Sequence, residues 1–490
     1  MSIQDTLVSQ VNSLPIRPIR VRIAPSPTGH LHVGTLRAAL FNWLFARHNK
    51  GAFLLRIEDT DKERSKPEYT QEIFESLAWA GLAADETPVI QSQRIERHKQ
   101  VIAQMLANGT AYYCYCTPQE LQERLGFSAA QEGNYAFYDN TCRLVADKQA
   151  DKQIDKPCVV RFKVPRDNDT ITFHDLIHGD ISFATDQFDD FIIMRSDGTP
   201  MYNFVVVVDD ADMGITHVIR GEDHIPNTPK QILLYKACAF ALPQFAHLPL
   251  ILGPAGNKLS KRDAAVSVLD YRKNGFLAAA LCNYLVRLGW SHGDQEIFTT
   301  KELIALFSLK EVNKKGSIFD IKKLEWINGL YIRQHQAYEL IDFIISDIDP
   351  LFKTRLASWD VIKIAALIDL YKDRVKTLKE LMQEIESVYY AATAFIPEDI
   401  NAWINKSTYE LLEALIVKLE EQENFTAQEL AQLIKDFCVQ KQVALQQVAK
   451  PVRLALTGKS SSPGIYELLA LIGKQESIRR LHFFLESIRA

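Results

Sequence analysis

The sequence predicts a multidomain α/β protein: a doubly wound parallel-sheet domain split by an α+β insertion, followed by an all-α C-terminal half. Three observations carry that expectation. Residues 21–37, VRIAPSPTGHLHVGTLR, read as a strand, a Pro- and Gly-broken turn and the start of a helix. Between about 110 and 200 the pattern changes to short, alternating, β-branched segments. Beyond about 337 only helical periodicity continues. A chain of 490 residues has room for roughly three to five domains.

In chain order, Val21 and Ile23 alternate with Arg22 as in a half-buried strand. Pro25 and Pro27 end it, because proline cannot donate to a sheet ladder. From Leu36, apolar Leu36, Ala39, Leu40, Trp43 and Leu44 share one helical face. The turn between them is either an ordinary strand-to-helix connection capped by Thr35 or an anion site, since a helix N-terminus offers free N–H groups to phosphate. Phe53 to Ile57 reads as a buried strand with Glu58, Asp59 and Asp61 at its end. Ligand groups of open parallel sheets gather at such carboxyl ends. PEYTQEIFESLAWAGL and residues 94–108 read as helices. In the insertion, PCVVRFKVP and TITFHDLIHGDISF read as antiparallel strands. Past Pro200, the apolar run Phe204 to Val208 is expected to be a strand buried on both faces. THVIRGEDH is expected to be a second strand, TPKQILLYKACAF a helix and HLPLILG a third strand. GNKLSKRDAAVSV is a Lys-rich loop running into a strand or helix.

Net charge is −5, so no global basic field marks a nucleic-acid partner, and any RNA must be held by local patches and shape. Hydrophobic content of 47% leaves ample core material. Seven cysteines are too few and too odd for a disulfide framework and suggest a reducing, cytoplasmic setting. No run reaches the about 18 apolar residues of a membrane span, and the first residues lack a secretory pattern.

Four constellations bear chemistry. Lys258, Lys261 and Arg262 surround Ser260. They make either a solvated loop or a flexible cationic cover for a polyphosphate. Arg22 and Arg220 lie near the ends of two expected strands. Each is either a surface ion pair or a bidentate carboxylate receptor, with Glu58 able to hold an ammonium and Tyr202 to close the pocket. Cys114, Cys116 and Cys142 are zinc candidates, but a structural site needs four ligands and position 144 is Leu144; free cysteines are the favoured reading. Arg374 and Arg453 stand beside breaks in helical segments, either as helix-end charges or as readers of splayed RNA bases.

These segments resemble the class I aminoacyl-tRNA synthetases, and within them the glutamyl-tRNA synthetases of the bacterial type. His32-Val33-Gly34-Thr35 is similar to the "HIGH" motif, and Lys258-Leu259-Ser260-Lys261-Arg262 to the "KMSKS" loop. RIEDTD, YNFVVVVDD, THVIRGEDH, NYLVRLGWSHGDQEIF and PVRLALTG match as well, so the resemblance runs from about residue 20 to the end. It implies a Rossmann-type catalytic domain and ATP-dependent ligation of glutamate to tRNA through a glutamyl-adenylate, with Mg²⁺ brought by ATP. It implies His32, Lys258 and Lys261 as catalytic residues. ATP would be held by His32, Gly34, Thr35, Lys258, Leu259, Ser260, Lys261 and Arg262. Glutamate would be held by Arg22, Ala24, Ser26, Glu58, Tyr202, Arg220 and His224. Arg374 and Arg453 would face the anticodon, Arg374 standing where an arginine accompanies discrimination against glutamine tRNA.

On this reading residues 1–109 hold the first half of the catalytic domain, with 1–17 an N-terminal extension. Residues 110–200 bind the tRNA acceptor end and 201–256 complete the catalytic domain. Residues 257–336 hold the cationic loop and a helical stem-contact domain, and 337–490 an anticodon-binding region with a boundary near 393. The expected partners are tRNA(Glu), glutamate and ATP, with no membrane, for a monomer. Two departures stand out. Leu144 breaks the zinc pattern that some members carry, and Val206 stands where others can have a polar residue. A glutaminyl-tRNA synthetase would end in β-barrels rather than helices, and a catalytically silent RNA-binding paralogue would have no need of His32, Lys258 and Lys261.

Overall fold

The computed structural model describes residues 18–125, 138–146, 157–166, 170–257, 259 and 267–489. They form two compact units. One runs to Leu269 and resumes over Cys282–Asp320; the other takes Asp270–Leu281 and Ile321 onward.

The first unit opens with β1 (Arg20–Ile23), α1 (Val33–His48), β2 (Ala52–Ile57), α2 (Pro67–Trp79), β3 (Val89–Ile90) and α3 (Ile95–Ala107). Helix α1 begins at Val33, before the expected Leu36, because His32 rather than Thr35 caps it. Next come β4 (Ala111–Cys114), α4 (Pro118–Leu125), α5 (Thr141–Ala146), β5 (Val159–Phe162), β6 (Thr170–Asp175), β7 (Gly179–Ala184) and β8 (Ile192–Met194). The unit continues with α6 (Tyr202–Asp212), β9 (His217–Gly221), α7 (Thr228–Ala237), β10 (Gln244–Leu248) and β11 (Ile251–Leu252). The chain passes between the units within α8 (Val268–Lys273) and α9 (Ala278–Arg287), and the first unit closes with α10 (Thr300–Leu306) and β12 (Ser317–Ile318).

Parallel pairing organises the centre. β1 pairs with β2 and β2 with β3. On the far side of β1, the Thr216 N–H donates to the Arg20 carbonyl at 2.9 Å, so β9 starts alongside it. β9 pairs in parallel with β10, setting Arg220 opposite His247. Apolar strand residues such as Phe53, Leu54 and Leu55 of β2 are buried in this centre.

Three expectations change. The Phe204–Val208 run lies inside helix α6, not a strand. All five of its residues are buried, and an apolar run buried all round does not by itself distinguish helix from strand. HLPLILG does not form one strand: β10 ends at Leu248 and β11 starts at Ile251, with Pro249 interrupting the ladder. The insertion's strands also divide. β4, β5 and β8 form an antiparallel sheet of their own, whereas the β6–β7 hairpin joins the central strands through a parallel pairing of β6 with β10. The segment after the Lys-rich loop resolves as helix α8.

In the second unit every element after Asp320 is a helix: α11 (Ile321–Gln334), α12 (Ala337–Asp347), α13 (Phe352–Arg355), α14 (Val361–Tyr371), α15 (Leu378–Tyr389), α16 (Pro397–Trp403), α17 (Lys406–Glu421), α18 (Ala427–Lys441), α19 (Leu445–Thr457), α20 (Ile465–Ile472) and α21 (Lys474–Arg489). That is the all-α half the periodicity predicts. Two polar residues tie it together. The Asn328 side chain accepts from the Leu277 N–H at 2.8 Å and donates to the Lys376 carbonyl at 2.6 Å. Buried Arg480 donates to the carbonyls of Val388 and Leu456, both at 2.7 Å. Gly275 has φ +82°, and a Cβ there would meet the Lys379 backbone nitrogen at 2.4 Å. Only glycine permits both the conformation and the approach.

Candidate active site

The residues expected to meet glutamate come from three strand ends and one helix start. Arg22 is on β1, Glu58 follows β2, Arg220 is on β9 and Tyr202 opens α6. The Glu58 N–H donates to the Pro25 carbonyl at 3.0 Å, which ties the end of β2 to the turn carrying Ala24 and Ser26. Ser26 is exposed and Ala24 half-buried. Val206 is buried within α6.

Neither Arg22 nor Glu58 is a lone receptor. Arg22 donates through Nε and Nη2 to the two oxygens of Asp210, at 3.0 and 3.1 Å, with both residues buried. Arg56 donates through Nη1 to the same carboxylate at 2.5 Å and through Nη2 to Glu58 at 3.0 Å. The sequence reading missed Arg56 and Asp210. The signal was present, since one arginine within FLLRI and an acidic pair at the end of an apolar run must find partners if buried. Burial works to raise the Asp210 carboxyl, but the charges of Arg22 and Arg56 outweigh it and bring it down to about 2. Burial leaves Glu58 raised despite Arg56.

Arg220 is held differently. Its Nε donates to His247 Nε2 at 3.2 Å, and its Nη2 to Thr228 Oγ1 and Gln231 Oε1 at 2.9 and 2.8 Å. All three acceptors are neutral and buried. Among the described residues, none of its hydrogen-bond partners is a carboxylate, and burial lowers its pKa. Tyr202 places its hydroxyl 3.2 Å from His224 Nδ1. Tyr202 is 39% exposed as a residue, yet loss of solvent around it and the charge of Glu58 push the phenol up to about 12. Burial, then the charge of Arg220, brings His224 down to about 4, so its imidazole is neutral at pH 7. Arg22, Glu58, Tyr202, Arg220 and His224 thus share one electrostatic site.

The nucleotide-type turn lies beside it in the chain. The exposed His32 ring caps α1, accepting from the Thr35 N–H at 3.3 Å. A Cβ at Gly34 would meet that ring at 3.1 Å, so glycine lets the ring lie over the helix start. Lys258, Ser260, Lys261 and Arg262 lie outside the described residues. The chain on either side is anchored: the Leu259 N–H donates to Ile251 at 3.1 Å, and the Val268 N–H to Leu31 at 2.9 Å. Ser267 forms a bridge with His32. The loop therefore returns to the segment that caps α1.

At the end of β4 the thiols of Cys114, of Cys116 just beyond it and of Cys142 in α5 all lie within 4.8 Å of one another. Cys116 also accepts from Arg124 at 3.1 Å, and Cys114 donates to the Tyr138 hydroxyl at 3.5 Å. Leu144, at the expected fourth position, is 74% exposed. The described donor set supplies three thiols, one short of a tetrahedral structural zinc. In the second unit, Arg374 is exposed, and Arg453 donates to Ser462 Oγ at 3.1 Å. Burial and then the charge of Arg374 lower the Arg453 pKa, which sets the two guanidinium groups within each other's field.

Comparison with known proteins finds two family matches. Residues 18–326 match "tRNA synthetases class I (E and Q), catalytic domain", and residues 339–485 match "Anticodon binding domain". The glutamate–tRNA ligase of Thermodesulfovibrio yellowstonii is 45% identical over 468 residues, covering 94% of this chain and 98% of the relative. That of Aquifex aeolicus is 44% identical over 476 residues, covering 96% and 99%. A solved glutamate tRNA ligase from Elizabethkingia meningosepticum, in complex with its amino acid, superposes with a TM-score of 0.83 at 32% identity, covering 96% of this chain and 100% of that one. A catalytic-domain match across more than half of the chain, joined to an anticodon-binding match and to relatives aligned over nearly their full lengths, establishes that this chain belongs to the class I tRNA synthetases of the E and Q type.

Proposed function

We propose that the protein ligates L-glutamate to tRNA(Glu) at the expense of ATP. The observation that carries this reading is the buried Arg220, whose described partners are all neutral and whose charge acts, like that of the buried Glu58, on Tyr202. An amino acid with a carboxylate side chain and an ammonium group answers both charges. Arg220 receives the side-chain carboxylate. Glu58, held up in pKa by burial, receives the ammonium. Arg22, Tyr202, His224, Ala24 and Ser26 complete the pocket.

The α-carboxylate oxygen attacks the α-phosphorus of ATP and pyrophosphate departs. A ribose hydroxyl of the tRNA terminal adenosine then attacks the acyl carbon, and AMP departs. His32, Gly34, Thr35 and Leu259, with Lys258, Ser260, Lys261 and Arg262, hold ATP and its Mg²⁺, and Lys261 stabilises charge on the phosphates during transfer. Catalysis is positioning plus electrostatics. No step is assigned to zinc, because the thiols clustered among the described residues number three. Residues 110–200 take the acceptor end and the helical half takes the anticodon, with Arg374 and Arg453 at the bases. The protein acts as a cytoplasmic monomer.

ATP–pyrophosphate exchange tests this reading. Exchange should require glutamate and be at least about tenfold faster with tRNA(Glu) than without. Absence of exchange under both conditions would identify a silent paralogue.

A further inference from the structure

Arg220 can receive a substrate carboxylate only if its guanidinium is held in one orientation, and the structure contains a device that does this. His247 is fully buried on β10, opposite Arg220 in the β9–β10 register. Its Nδ1 is 2.6 Å from Asp175 Oδ2 and its Nε2 is 3.2 Å from Arg220 Nε. Asp175, at the end of β6, is also fully buried. Its Oδ1 accepts from the N–H groups of Ile177 and His178 at 3.0 and 2.9 Å. A carboxylate accepts only, so the His247 proton sits on Nδ1, and Nε2 is left as the acceptor for the Arg220 Nε–H. Gln231 repeats the logic from the other side. Its amide NH₂ donates to Asn203 at 3.1 Å, which turns its oxygen toward Arg220. Nε and Nη2 are thereby fixed by acceptors without charge, and among the described residues no acid hydrogen-bonds Arg220 in competition with an incoming carboxylate.

We infer that Asp175 and His247 are positioning residues for Arg220, a buried carboxylate–imidazole relay that sets the tautomer and so aims the guanidinium at the substrate side chain. This rests on the reading of Arg220 as the carboxylate receptor. It also gives the β6–β7 hairpin a role in amino-acid selection, although that hairpin lies far along the chain from β9. Burial holds His247 below the ordinary histidine range even beside Asp175, in keeping with a neutral ring.

Asp175→Asn in the full-length protein provides the test. Asn keeps the volume and an oxygen for the two backbone bonds, but turns an NH₂ donor toward His247 Nδ1. The ring proton then moves to Nε2 and opposes the Arg220 Nε–H. The expected result, read by charging of tRNA(Glu), is a rise in glutamate KM of about tenfold with ATP KM changed less than about twofold. His247→Leu should do the same, and His247→Gln, whose oxygen can accept from Arg220, should recover most of the loss. Should His247→Leu fail to fold, Asp175→Asn carries the test alone. A glutamate KM unchanged in Asp175→Asn, or both KM values rising alike as the melting temperature falls, overturns the inference. Arg220→Ala separates the two readings: if it leaves glutamate KM unchanged, the carboxylate-receptor reading itself fails. If Arg220→Ala raises glutamate KM and the Asp175 and His247 variants do not, only the relay fails.

Discussion

Arg22 and Arg220 have the same side chain on neighbouring strands and opposite surroundings. Arg22 faces Asp210 with both ends of a bidentate pair, while Arg220 meets only neutral acceptors. The sequence marks both as carboxylate receptors, but the acid that answers Arg22 lies 188 residues away, beyond the reach of local pattern. Loss of Asp210 should be felt in the fold, because it answers both Arg22 and Arg56. Its folded carboxyl lies near 2, against an ordinary value of 3.8. A lowered pKa contributes stability that is complete above about pH 4 and is lost as pH falls toward 2, by about 2 kcal/mol. Urea denaturation of the wild type and Asp210→Asn should therefore show a stability gap that is widest near neutral pH and narrows below about pH 4. A gap that widened on acidification would refute this account. The polar turn at His32 and Gly34 was legible because it is local, although the cap falls to His32 and not to the expected Thr35. Arg56, Asp175 and His247 were not, because each takes its meaning from a partner far away in the chain: Asp210 in α6 for Arg56, and the opposite strand for Asp175 and His247.

Among the elements, the parallel strands and the helical half could be read from periodicity, since each buries a regular face. Helix α6 could not. Four consecutive valines favour a strand by propensity, yet tertiary burial on all sides decides for helix. The β6–β7 hairpin was recognisable as a hairpin, but its membership of the central strands rests on one registered pair with β10 that no local signal encodes. Element junctions also hold the second unit together. At Gly275 a side chain would have to accept a positive φ and a 2.4 Å approach to the backbone in the first turn of α15. Gly275→Ala should destabilise by more than about 2 kcal/mol, seen as a lower melting temperature. A shift of less than about 1 °C would show that the 275–378 contact yields freely.

For the molecule as a whole, a net charge of −5 argues against affinity through a global field, so selection among tRNAs falls to local contacts. The exposed Arg374, within the field of Arg453, is the place to look. The wild type should charge tRNA(Glu) in preference to tRNA(Gln), and Arg374→Gln should reduce that preference about tenfold. Equal charging of both tRNAs by the wild type would remove Arg374 from discrimination. The succession of an α/β part and a helical half was readable because the two differ in periodicity. The making of one pocket from four separated segments was not, because it depends on which strands become neighbours.

That neighbourhood has a consequence for biosynthesis. The backbone partner of Arg20 on the open side of β1 is Thr216, 196 residues later. At a translation rate of roughly 5–20 residues per second, β1 waits roughly 10–40 s as an unpaired edge. Closing so long a loop costs only slightly more than closing a short one, so the delay bears on folding kinetics far more than on final stability. During that interval the antiparallel sheet of β4, β5 and β8 is already complete in sequence and can fold first. The open side of β1 then closes against β9 beside a sheet already in place, and a nascent chain that stops just short of residue 216 still carries that edge unpaired.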